Sequence, residues 1–397
     1  MKPVVAVVSA LMMLGLAASA AHAETLSVRP SLEVSERYDS NVLNAPHGFE
    51  SSDTVTRVTP SLKATVSVLS TKLSAAAGFD AEYFAEHTGL DRAGMTKNFL
   101  LSSDEPLRIT PNFTLRPTAR YVESRDAVRR NQFTQTGAPG LAPAESQVNT
   151  RIGTRNYSGA LNGTLATSAN LELGFGAGAV RNDYFDAPSA FIGSKNYSAN
   201  ASVGYRWTPN LNPGIYGTAG YDEFDNGNDV RNFAAGLSGN YRFSEVSSFD
   251  ARVGATWIRS DTGNTRIVRP SGRLEYRQAW RELTAALRAS IDYAAGAFGT
   301  ETKREDVSLR LADRFSADWS GDTSAVWQAN RSLREPFPED LMSVQWSAGV
   351  HYSVTRYARI NLTGEMFRQW NRGGIGTDLF RESAMIGVDI GSDILVF

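Results

Sequence analysis

Between Asn196 and Trp207 the chain alternates. Asn196, Ser198, Asn200, Ser202, Gly204 and Arg206 form one set; Tyr197, Ala199, Ala201, Val203, Tyr205 and Trp207 form the other. A period of two puts the sets on opposite faces of a β-strand, one wet and one apolar. The pattern recurs. Phe233, Ala235, Leu237, Gly239, Tyr241 and Phe243 share an apolar face, as do Leu283, Ala285, Leu287, Ala289, Ile291 and Tyr293. So do Met342, Val344, Trp346, Ala348, Val350 and Tyr352. No comparable helical stretch follows the N-terminus.

Counting such segments gives about 18 strands, an even number of the kind bacterial outer-membrane barrels use. They run from 26–38 through 109–124 and 147–167 to 380–397. Their connections alternate in character. Ser70-Thr71, Thr208-Pro209-Asn210, Ser244-Glu245 and Thr355-Arg356 are short, whereas Asp39–Thr54, Ser124–Ser146 and Arg331–Asp340 are long. Short turns at one end and long loops at the other describe an outer-membrane barrel.

The apolar faces carry aromatics near their ends and small residues between, as in Tyr197…Tyr205-x-Trp207. Tyr and Trp favour the headgroup level. The segments are also long for a soluble sheet, where roughly 5–6 residues is usual. The polar faces carry charge: Arg116, Arg120, Arg206, Arg242, Arg252, Arg273, Glu275, Arg288, Asp292, Arg310, Arg359 and Glu365 are candidate lumen-lining residues. A dry core does not hold so many charges, but a water-filled lumen does. The pattern therefore predicts an all-β fold, a transmembrane antiparallel up-and-down β-barrel of the bacterial outer membrane. A barrel of 16–18 strands is wide enough for an aqueous channel.

Composition fits this reading. Residues 1–23 have the form of a secretory signal: Lys2, an apolar run from Val4 to Leu16, and an Ala21-His22-Ala23 cleavage site. The expected mature chain, 24–397, is then a single barrel domain. The 397 residues include no cysteine, so an exported chain relies on no disulfide, thiolate metal site or haem attachment of its own. The formal charge of −2 argues against a nucleic-acid partner. The first β-strand follows the signal almost directly, so no plug domain is expected at the N-terminus.

Little chemistry is expected. His351 shares a face with Ser347 and Ser353, but a Ser–His hydrolase needs an orienting third group. The predicted protein is not an enzyme and needs no cofactor or metal. The loop Ser124–Ser146 carries Arg125, Arg129 and Arg130, which make it a gate candidate. Phe397 gives the chain an aromatic end, which barrel assembly machinery commonly reads. A bulge near Gly391-Ser392 would turn Leu395 and Phe397 outward with Ile390.

The segment Tyr38-Asp39-Ser40-Asn41-Val42, followed by Ser52-Asp53 and Arg57-x-x-Pro60, resembles the outer-membrane β-barrel porin family associated with exopolysaccharide export systems. Asp39, Ser40 and Asn41 are also turn formers at a strand end. The resemblance implies export of an extracellular polysaccharide through a water-filled, loop-gated lumen, with periplasmic polysaccharide export proteins as partners. Outer-membrane lipid and lipopolysaccharide would surround it. Two alternatives stand beside that reading: a general diffusion porin for small solutes, and a barrel sheath for an electron-transfer conduit whose haem a partner would bring.

Overall fold

The alternating segments become strands in the computed structural model, which describes residues 26–395 apart from 69–70, 104, 126–152, 186–190, 262–264, 296–300, 334–338, 375–377 and 393. The strands are β1 (Leu26–Asp39), β2 (Asp53–Val68), β3 (Thr71–Phe84), β4 (Arg92–Ser103), β5 (Leu107–Thr110), β6 (Phe113–Ser124) and β7 (Gly153–Ala166). Next come β8 (Leu171–Phe185), β9 (Ser194–Tyr205), β10 (Leu211–Phe224), β11 (Val230–Ser244), β12 (Ser247–Ser260), β13 (Thr265–Ala279) and β14 (Thr284–Ala295). The chain ends with β15 (Glu301–Asp313), β16 (Trp319–Ser332), β17 (Glu339–Thr355), β18 (Ala358–Gly374), β19 (Leu379–Gly391) and β20 (Ile394–Leu395). Neighbours run antiparallel in chain order. β1 pairs with β19, Ser31 opposite Gly391 and Asp39 opposite Ser383, which closes the sheet into a barrel. β5 continues β4 alongside β6, and β20 continues β19 alongside β1. Twenty strands thus make 18 staves.

Three segments differ from the sequence expectation. The segment expected at 109–124 is two pieces, because the tight turn falls at Pro111-Asn112 and Leu107–Thr110 belongs to the preceding stave. Pro106 lacks an N–H and sits in the interruption of that stave. The segment expected at 147–167 begins at Gly153, and 147–152 lies outside the described residues. The bulge expected at Gly391-Ser392 does not form. Ser31 opposite Gly391 and Val28 opposite Ile394 keep one register, so Leu395 holds a position on the face of Gly391, not of Ile390. Phe397 lies outside the described residues.

The two faces separate as the alternation requires. On β9, Tyr197, Val203 and Tyr205 are exposed on the outside. Asn196 points inward and donates to Asp222 Oδ1 at 2.6 Å. The outer surface carries aromatics at two levels. Trp207, Tyr241, Phe243, Trp280 and Trp319 lie near the short turns; Tyr38, Tyr83, Tyr157, Tyr197 and Trp257 lie near the long loops. Tyr197 and Tyr205 are about 27 Å apart along the strand at ~3.4 Å per residue. With strands tilted by about 40°, that is about 21 Å of height, close to an apolar band about 25 Å tall. The protein is an outer-membrane β-barrel.

Two neighbouring strands of the wall pack closely at one point. Gly236 and Gly254 face each other across β11 and β12, and a Cβ on either would meet the neighbouring strand's carbonyl, Val253 O or Ala235 O. Bare backbone lets the strands approach this closely.

A seam opens elsewhere. β13 pairs with β14 only from Gly272–Ala279 against Thr284–Ile291. Beyond that point β13 stays on β12 as far as Thr265, and β14 stays on β15 as far as Ala295. The Tyr293 hydroxyl donates to the Pro270 carbonyl at 3.2 Å across the gap.

Candidate functional site: the barrel lumen

Inward-facing residues follow from the pairing register. Arg252 lies opposite Arg273, Glu275 opposite Arg288, and Ala286 opposite Arg310. The inner wall from β11 to β15 is therefore rich in guanidinium groups. Several are tied down: Arg273 and Arg277 both bond to Glu275, and Arg288 Nε lies 3.8 Å from Asp306. The Arg252 guanidinium stands 5.9 Å from the Tyr216 ring centre. At the short-turn mouth Arg242, Arg277, Arg310, Asn240 and Asp250 line a recess of about 880 Å³.

The wall from β7 to β10 is different. Its inner face carries Ser158, Asn162, Gly174, Gly176, Ser198, Asn200 and Ser202 at mid-height, with Glu172 at the short-turn end. Near the long loops it becomes an amide ladder. Asn156 Nδ2 donates to Asn182 Oδ1 at 2.7 Å, and Asn196 and Asn232 both donate to Asp222, at 2.6 and 3.0 Å. Hydrogen bonding of this kind is what makes the burial of Asp222 tolerable.

The sequence-predicted residues divide by level. Arg116 and Arg120 on β6, Asp292 on β14, and Arg359 and Glu365 on β18 take inner-face register positions, as do the arginines above. Arg206 follows β9 at the short-turn end, where its N–H bonds to the Asn170 carbonyl. Arg116, Arg206, Arg242 and Arg359 stand exposed near that mouth, whereas Arg120 is half-buried higher up. Of the loop candidates, Arg125 stacks on Phe185 at 4.9 Å, beside Arg155 at 4.4 Å. Arg129 and Arg130 lie outside the described residues. His351 bonds Asn361 at 2.8 Å and Asp322 at 2.7 Å, so its ring nitrogens are occupied by groups other than a serine hydroxyl.

The Tyr38–Val42 motif serves the barrel's outer rim. Asp39 is fully buried and takes two guanidinium nitrogens of Arg381 and a contact from Arg37 at 3.2 Å. Asn41 Nδ2 donates to the Ala45 and Phe380 carbonyls, at 2.8 and 3.0 Å, while its Oδ1 accepts from Ala45 N–H. Val42 packs on Val55 and Phe84. The motif staples the first long loop across the β1–β19 closure. In that loop the His47 hydrogen bond holds the Glu50 carboxyl below its ordinary range.

Sequence reading missed an apolar level inside the barrel. Phe224, Val230 and Ile258 point inward from β10, β11 and β12 and form a buried cluster with Tyr293 of β14, joined by Ile192, Ile291 and Leu333. Tyr293 belongs by parity to the face that is lipid-exposed lower down, at Leu287. To reach inner-face side chains of β12 across β13, the outer end of β14 must lie inside the wall. Tyr293 and Glu301, the described ends of β14 and β15 here, therefore lie on the inner side of β11–β13. The signal was present in Glu301–Asp306, where Lys303, Arg304, Glu305 and Asp306 put charge on both faces of a strand.

No family model and no curated protein sequence matches the chain. The chain is similar to several solved structures. OccAB4 of Acinetobacter baumannii superposes with a TM-score of 0.48 at 9% identity, over 94% of this chain and 99% of that one. OpdQ of Pseudomonas aeruginosa gives 0.47 at 12% identity, over 93% and 99%. OpdK of the same organism, solved with vanillate, gives 0.47 at 11%, over 93% and 99%.

Proposed function

We propose that the protein is a passive diffusion channel for small polar solutes, with a preference for anions. The observation that carries this reading is the polar inner face below the long-loop level, net cationic on β11–β15 and carrying mostly serine, asparagine and glycine on β7–β10. Guanidinium groups along one wall focus a field that raises local anion concentration. Serine and asparagine on the adjoining wall offer hydrogen bonds, and glycine there leaves room. The buried outer level favours small solutes over an extended polymer chain, so the diffusion reading displaces polysaccharide export as the leading one. A haem-carrying partner has no particular support.

The test is conductance in planar bilayers, together with swelling of vesicles in sugars of increasing size. Size-limited uptake with an anion-biased reversal potential supports the proposal. A silent barrel that passes oligosaccharide only with an added periplasmic fraction restores the export reading.

A further inference from the structure

The outer rim gives a second histidine the serine partner that His351 does not have. Ser51 and Asp53 lie two residues apart where the first long loop runs into β2, and His87 follows β3 in the neighbouring loop. The His87 ring joins them. Its Nδ1 stands 2.9 Å from Asp53 Oδ2, and its Nε2 stands 3.0 Å from the Ser51 hydroxyl. Hydroxyl, imidazole and buried carboxylate in that order are the set that activates a serine for acyl transfer.

Asp53 fixes the direction of these hydrogen bonds. Its side chain is fully buried. It accepts the N–H groups of Thr54 at 2.7 Å, Glu86 at 3.1 Å and His87 at 2.9 Å. A carboxylate that receives so many donors is ionised and has no proton to give. His87 Nδ1 is therefore the donor to Asp53, and Nε2 keeps a lone pair for the Ser51 hydroxyl. The frame is held from both sides. The Ser51 carbonyl accepts the Val42 N–H at 2.9 Å, and Val42 packs on Val55 and Phe84 with Leu90 against them. The His87 carbonyl accepts the Leu90 N–H at 2.8 Å, and Asp91 accepts the Phe84 N–H at 2.8 Å. Access is open: the His87 side chain is 27% exposed, and a Cβ on Gly89 would meet nothing within 4 Å. The Ser52 N–H makes no backbone hydrogen bond among the described residues. An N–H next to the nucleophile is one that acyl-transfer sites turn to the developing oxyanion.

We propose that this rim site is an esterase, with Ser51 as nucleophile, His87 as general base and Asp53 as the residue that positions His87. Its substrates are neutral short-chain carboxylic esters. Glu50 and Glu86 flank the site and disfavour anionic substrates. Phe49, 77% exposed, offers an apolar surface that covers a short acyl chain. Ser51 Oγ bonds to the ester carbonyl carbon as its proton passes to His87 Nε2. That proton then goes to the departing alkoxide, which leaves as the alcohol. Water attacks the acyl-Ser51 and gives a proton to the same nitrogen; the Ser51 oxygen recovers it as the carboxylic acid departs. One ester and one water become one acid and one alcohol, with no oxidation. The activity goes beyond the channel reading and does not depend on it.

The experiment uses the full barrel in detergent micelles, with 4-nitrophenyl acetate as substrate and a fluorescent fluorophosphonate as covalent probe. Wild type is compared with S51A, H87Q and D53N. Migration of unheated samples on gels checks folding, and planar-bilayer conductance reads the channel separately. Wild type should hydrolyse the ester with saturation and take up one probe molecule, located on Ser51 by peptide mass. S51A should lose both label and turnover while conducting as before; it removes one hydrogen bond and leaves Asp53 paired with His87. H87Q should lower kcat by at least about a hundredfold, the usual contribution of a positioned base. D53N should lower kcat with KM unchanged, since Asp53 touches His87 and not the ester. A folded wild type that carries no label on Ser51, or S51A hydrolysing as fast as wild type, would overturn the esterase and leave the channel standing. H87Q or D53N with full kcat would also overturn it, by reducing the three residues to a tie between two loops.

Discussion

Ala201→Arg and Ser202→Arg place the same side chain at adjacent residues on opposite faces. Ala201 lies four residues from both Tyr197 and Tyr205, about 14 Å along the strand from each at ~3.4 Å per residue. Its register partners are Phe175 and Gly217, so it sits near the middle of the apolar band. With strands tilted by about 40°, an arginine there is about 10 Å from either headgroup level, beyond an easy snorkel. The expected cost is about 2–4 kcal/mol. Ser202 faces the lumen between Gly174 and Tyr216, where a guanidinium stays in water. Its substitution should cost below about 1 kcal/mol, the usual range for a surface change. The difference is roughly a hundredfold in the folding equilibrium, at 1.36 kcal/mol per tenfold. Reversible urea titration into lipid vesicles, followed by tryptophan fluorescence, reads both values. Equal losses for the two variants would mean that the assigned faces, and the membrane reading built on them, are wrong.

Other consequences follow from the same geometry. Asp39→Ala strands the buried Arg381 guanidinium and should destabilise the barrel by about 3–5 kcal/mol, with Arg381→Ala adding little on top in a double-mutant cycle. Gly236→Ala drives a Cβ into Val253 O and should cost about 1–3 kcal/mol, whereas Gly239→Ala, with nothing nearer than Asn212 O at 3.9 Å, should be near neutral in the same unfolding assay. Replacing Arg252 and Arg288 together by Glu should move the reversal potential in a salt gradient toward cations. An unchanged potential would show that the β11–β15 wall does not set selectivity.

The strand alternation was legible without coordinates because lipid and water impose opposite chemistry on two faces of every strand. Asn196 to Trp207 shows the rule in one segment: each residue's parity fixes its surroundings, and nothing distant is needed. The same reasoning put Arg252, Arg273, Glu275 and Arg288 on one inner wall. It could not rank them, because Glu275 is matched to Arg273 and Arg277 through side-chain geometry that pattern does not encode. Tyr38–Val42 stood out as turn chemistry, but its partner Arg381 is more than three hundred residues away and meets Asp39 only once the barrel closes. The inner apolar level was hidden more deeply. Tyr293 continues the lipid-facing alternation of Leu287 and Ile291, and by parity alone it belongs in the membrane. Only the three-dimensional sheet shows that β13 and β14 part company above Gly272 and that Tyr293 and Glu301 face the inside of the wall. Periodicity is a property of neighbours along the chain; where a strand leaves its neighbour in space, the packing of distant staves decides which face is buried.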